Sequence, residues 1–157
     1  MALWRVGERI DERIRRRTAG GMSLADLRTA ALELLPLDTS RREESRVLLA
    51  FLAQAAVVPG LAAAADDAAR RLQEPLTARI AHAIQAGELP AHLDPGHEAT
   101  RLQLLIYGLM VELATTTTTT PRRHLASWAQ AILDEHLAAL TAAAAPPPQR
   151  HDPARRR

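Results

Sequence analysis

Six histidines, His82, His92, His97, His124, His136 and His151, are the side chains of this chain best suited to bind a metal ion or carry protons near neutral pH. Zinc-type sites draw such ligands from short, recurring spacings, often with cysteine. These intervals repeat no ligand motif, and cysteine is absent. His92 and His97 fall in or beside a loop, and His136 falls on an apolar stripe, where an interface histidine is the plainer reading. The adjacent acids, Asp66 with Asp67 and Asp134 with Glu135, read as solvated helix faces rather than as a general acid and base. Neither a glycine-rich phosphate loop nor a nucleophile elbow occurs. We therefore expect no catalytic residue, no metal and no cofactor, and look for a protein that binds.

The elements that would position a binding site are helices. The chain has 157 residues, 47 % of them apolar and only 3 % aromatic, so its core must be built from Leu, Ala, Ile and Val. That composition suits helix-on-helix packing better than a sheet. The fold class expected is all-α, an antiparallel bundle of about six helices. Without cysteine there are no disulfides, no apolar secretory stretch follows the basic start, and "LLIYGLMVELA" is too short to span a bilayer and contains Glu112. A cytoplasmic protein with no membrane partner is the expectation.

Charge is distributed unevenly. Residues 1–17 hold six arginines against three acids, and residues 150–157 hold four arginines against Asp152. The body between them carries ten arginines and fourteen acids, so it lacks the concentrated basic face that phosphate neutralisation demands.

Punctuation divides the chain. "MALWRVGERIDERIRRR" is amphipathic from Leu3 through Val6, Ile10 and Ile14, and it begins as though already inside a helix. Gly20 and Gly21 end it. Ser23 with Asp26 caps a second helix carrying Leu24, Leu27, Ala31, Leu34 and Leu35, which stops at Pro36. A Ser40-to-Glu43 capping box opens a third, with Val47, Leu48, Phe51, Leu52 and Ala55 on one face until Pro59 and Gly60. The fourth runs from about Leu61 to Ala86, and Pro75 within it predicts a kink. Asp94 before Pro95 begins a fifth, whose apolar residues point all round the axis over 99–113 and so need more than one neighbour. Thr115 to Thr120 form a connector. A sixth helix starts at Pro121 and bears Leu125, Trp128, Ala129, Ile132, Leu133, His136, Leu137 and Leu140 on one stripe. Residues 142–157, rich in Ala, Pro and Arg, read as a disordered tail.

This order of segments, with "LPLD", "RVLLAFLAQA" and "IYGLMVELA" as its most specific pieces, resembles the ligand-binding and dimerisation half of TetR-type transcriptional regulators, in the subgroup with a BetI-like C-terminal domain. The resemblance covers roughly residues 3–140 and implies a regulatory domain over 1–141 with a TetR C-terminal-domain-like fold. In that family a DNA-binding helix-turn-helix module precedes the body, and "MALWRVGERIDERIRRR" looks like the helix that links the two. DNA contact is thus expected only through an N-terminal module that these residues do not contain.

The resemblance implies a small apolar or amphipathic effector entering among the helices, with Val6, Phe51, Gln54, Leu72, Ile80, Leu104 and Tyr107 as its expected lining. It also implies a homodimer built from the last two helices, with Gly108, Leu109, Leu125, Trp128, Ile132 and His136 at the interface. The alternative carried beside it is a stand-alone helical interaction protein that pairs with a full-length regulator and titrates it. For most of these side chains ordinary core packing is the plain competing role.

Overall fold

Several helix boundaries among the described residues have a local cause. A computed structural model describes residues 2–116 and 122–143, the side chains of residues 2–4 and 122 excepted. Expectations about the side chains of Leu3 and Trp4, about Thr117 to Pro121 and about the tail beyond residue 143 lie outside the described residues. The order is α1 (Ala2–Thr18), α2 (Leu24–Glu33), α3 (Thr39–Ala55), α4 (Ala62–Gln85), α5 (Pro95–Thr115) and α6 (Arg122–Thr141), with a 3-10 turn at Pro59–Leu61 ahead of α4.

Three of these helices are capped by short side chains that satisfy otherwise orphaned N–H groups. Ser23 and Asp26 form the expected reciprocal box at α2. The Asp94 carboxylate accepts from the His97 N–H at 2.8 Å to open α5. At α3 the expected Ser40 box is corrected: Asp38 is the cap, accepting from the Arg41 N–H at 2.9 Å, and Ser40 lies within the first turn. A charged acceptor two residues upstream takes the position first. Gly87, with φ of 75°, closes α4 in a left-handed turn, where Glu88 N–H donates to Ala83 O at 2.9 Å and Gly87 N–H to Ile84 O at 3.1 Å. Helix α4 runs unbroken through Pro75, which lies exposed.

The core is centred on α5. Leu102, Ile106, Leu109, Met110 and Leu113 are buried there, with Leu76, Ile80 and Ala83 of α4, Leu27 and Ala31 of α2, and Ala129, Leu133, Leu137 and Leu140 of α6. Gln73 to Thr100 and Gln103 to the Ala69 carbonyl show that α4 and α5 run antiparallel, because the partner number rises as the other falls. Helix α3 is more peripheral. Its buried residues are Glu44 and Ser45, whereas Val47 of its expected apolar face is 38 % exposed.

Candidate functional site

Two surfaces stand out. The first is the seat of α1, which packs chiefly on α2 and α3. Val6 is buried in that seat, with Ile10 and Ile14 partly buried behind it. Two carboxylates face α1, Glu33 from α2 and Glu44 from α3, with side chains only 8 % and 5 % exposed. Arg13 serves both: its Nε donates to Glu33 Oε2 at 2.8 Å, and its Nη2 lies 3.1 Å from Glu44 Oε2. The same Nη2 donates to the Glu33 carbonyl at 3.0 Å. Arg9 flanks Glu44 at 3.5 Å, Arg17 flanks Glu33 at 3.6 Å, and Arg41 approaches Glu33 at 3.4 Å. Buried charges persist only when paired in this way.

Along this seat runs an open groove of about 1110 Å³, lined by residues of α1 including Arg5, Val6, Arg9 and Arg16 and by Ser40, Glu44 and Val47 of α3. Beneath it lies a void of about 10 Å³, the size of one water, bounded by Arg13, Glu33, Arg41, Glu44 and Ser45 and by apolar groups that include Met110.

The second surface is the outer side of α5 and α6. Leu104 is 64 % exposed, Val111 45 % and Trp128 46 %. Gly108 lies between the first two on α5, and a side chain added there would meet nothing within 4 Å. Leu125, Ile132 and His136 of α6 are partly buried. His136 packs near the N-terminal end of α5, with Arg101 and Glu98 as its charged neighbours, and its Nε2 is buried without a hydrogen-bond partner. Burial, and then the Arg101 charge, hold its imidazole below the ordinary histidine range, with Glu98 opposing.

The residues expected around an effector do not share one of these concavities. Of the seven, Val6 alone lines the groove and none bounds the small void. Ile80 is fully buried in the core, Gln54 is exposed on α3, and Phe51, Leu72 and Tyr107 are partly buried. Leu104 sits on the outer side of α5 instead of facing inward. Leu109, expected at the interface, is 5 % exposed and belongs to the core, one residue and roughly 100° of helical rotation away from Gly108. Val111 takes its place on the open side. Among the described residues no group of three or more His, Asp or Glu side chains is placed to hold a metal, and no helix is long and apolar enough to cross a membrane.

Sequence reasoning missed Glu33, Glu44 and Gln103. The carboxylates look like ordinary surface acids until the arginines of α1 are set opposite them. Gln103 is 6 % exposed and donates from Nε2 to the Ala69 carbonyl and to Tyr107 Oη, both at 3.3 Å. A glutamine in an otherwise apolar run is the signal that was available.

Among the described residues, a bundle of six helices around a central α5, with one helix clasped at its edge and an apolar outer side on its last two helices, defines an all-α domain. The family model of the BetI-type transcriptional repressor, C-terminal, matches residues 24–142, and the chain belongs to that family. Its first matched residue is the first of α2, so α1 precedes the matched region. No curated protein and no solved structure matches the chain.

Proposed function

We propose that this protein is the regulatory body of a TetR-type transcriptional regulator, which pairs with a second copy of itself through α5 and α6 and takes up a small apolar or amphipathic effector among its helices. The observation that carries the reading is the uncovered apolar side of two adjacent helices: Leu104 and Val111 flank the open Gly108 on α5, and Trp128 stands on α6. A second copy related by a two-fold axis would cover both helices at once and form a four-helix contact. The bare glycine lets two α5 helices approach closely there.

Effector binding rests on family membership and on the partly buried Phe51, Leu72 and Tyr107, the last two packed at the edge of the core. The Gln103–Tyr107 pair supplies the polar group that a mostly apolar pocket needs for orientation. Helix α1 then acts as the linking helix, with DNA contact made by a module joined to its N-terminal end.

The chain has no cysteine, so Gly108→Cys places a single thiol on α5. A short bis-maleimide should convert this variant to a covalent dimer, while the same change at exposed Ala53 of α3 should leave monomer. Equal cross-linking at both positions, or none at residue 108, would remove α5 from the interface.

A further inference from the structure

The sequence of α1 is a four-residue repeat. Reading from residue 5 it is "RVGE", "RIDE", "RIRR", "RT", which sets Arg5, Arg9, Arg13 and Arg17 in one row and Val6, Ile10, Ile14 and Thr18 in the row beside it. The apolar row faces the body, and the arginine row runs along its edge with Arg13 largely covered and Arg5, Arg9 and Arg17 exposed. Val6 and Thr18 are buried and Ile10 and Ile14 are packed against the core, while Arg9, Arg13 and Arg17 meet Glu44 and Glu33. Arg5 lines the open groove one turn further along.

We infer that α1 is a ratchet with two registers on the same seat. A screw motion of four residues, about 6 Å along the axis with about 40° of rotation, carries each residue into the place of the one four positions later. Arg5 and Arg9 then face Glu44, and Arg9 and Arg13 face Glu33. Val6 replaces Ile10, Ile10 replaces Ile14, and Ile14 takes the buried place of Thr18. Each buried carboxylate keeps two arginines of α1, and Glu33 also keeps Arg41, so the motion ends without an unpaired buried charge. A one-turn step between two packed arrangements is an established form of conformational switch.

The opposite step is not matched, because it would set Gly21 opposite Glu33 where Arg17 now stands. The chosen direction pushes the end of α1 into the loop before α2. There Ala19 and Gly20 already hold left-handed backbone, with φ of 47° and 76°, and the flanking groove leaves one side of α1 open to the movement. The inference rests on the proposed regulatory reading only for what the motion would drive, since the motion itself can be observed on the chain alone.

The test is distance measurement by pulsed electron paramagnetic resonance on the full chain. Spin labels are placed at exposed Gly7 with Arg46 and, separately, at Gly7 with Ala25, diluted with unlabelled chain so that only distances within one copy are read. Arg13 is the nearest cation to both carboxylates in the described register but serves only Glu33 in the second, so Arg13→Ala should enrich the second register. At least one label pair should gain a population displaced by several ångströms, up to about 6 Å. Adding Arg5→Ala to that variant should return the distribution toward the first register. A distribution that Arg13→Ala leaves in place would overturn the inference. So would an Arg13→Ala variant whose α1 loses helicity by circular dichroism, because the arginine row would then be a clasp for one register only.

Discussion

Arg28 of α2 holds Asp134 of α6 by two parallel hydrogen bonds, Nε to Oδ1 at 2.5 Å and Nη2 to Oδ2 at 2.9 Å, across 106 residues of chain. The pair ties α6 to α2 at the surface, beside the core contacts of Ala129, Leu133, Leu137 and Leu140 that seat the helix. The hydrogen bond from Arg28 holds the Asp134 carboxyl below its ordinary range. Its contribution is therefore present above pH 3.8, the ordinary carboxyl value, and is lost as pH falls through the lowered one. Both side chains are more than a third exposed, so Asp134→Asn should cost no more than about 1 kcal/mol at low salt and less in molar salt. Urea unfolding of both proteins at pH 7, at two salt concentrations, checks this.

Gly21 lies against the capping box of α2. A Cβ at this position would stand 2.3 to 2.9 Å from the carboxylate atoms of Asp26, which are committed to Ser23, and the Gly21 carbonyl accepts from the buried Arg79. Gly21→Ala should therefore unseat the cap and lower stability by about 1–2 kcal/mol, whereas Gly7→Ala, facing open space, should not lower it. Thermal unfolding of the two variants side by side distinguishes them.

The helices were legible in the sequence because their punctuation is local. Ser23 with Asp26, Asp94 before Pro95, and Gly87 each act within a few residues, and each does in the structure what its type predicts. The Ser40 cap failed because two acceptors compete within three residues, and periodicity does not rank Asp38 above Ser40. The site was less legible. A stripe such as Leu125 to Leu140 spans more than one neighbour: Ala129, Leu133, Leu137 and Leu140 turn into the core while Trp128 turns out. Which side of α5 is left bare depends on where α3, α4 and α6 pack, and no spacing within α5 records that. The same limit hid Glu33 and Glu44, whose partners lie on another helix.

His136 gives the fold a dependence on pH. Because burial lowers its pKa from the ordinary 6.5, the unfolded chain takes the proton first as pH falls. Stability is thus complete well above pH 6.5 and declines on acidification through the ordinary value toward the lowered one. His136→Leu should remove this slope, so the melting temperatures of the two proteins should converge or cross between pH 7.5 and pH 5.5, about one unit either side of the ordinary histidine value of 6.5. Parallel melting curves over that range would mean that the imidazole is solvated in both states.

In the proposed dimer a second copy of the chain covers the bare side of α5 and α6. Its most direct test is the mass in solution by light scattering, for the unaltered protein and for a variant carrying Leu104→Glu and Trp128→Glu. Both changes lie at exposed positions, so the fold itself should survive them, which circular dichroism verifies. The unaltered protein should show twice the 17.1 kDa chain mass and the variant the single-chain mass. An unaltered protein that stays at 17.1 kDa at high concentration, or a dimer that the two glutamates leave intact, would contradict it.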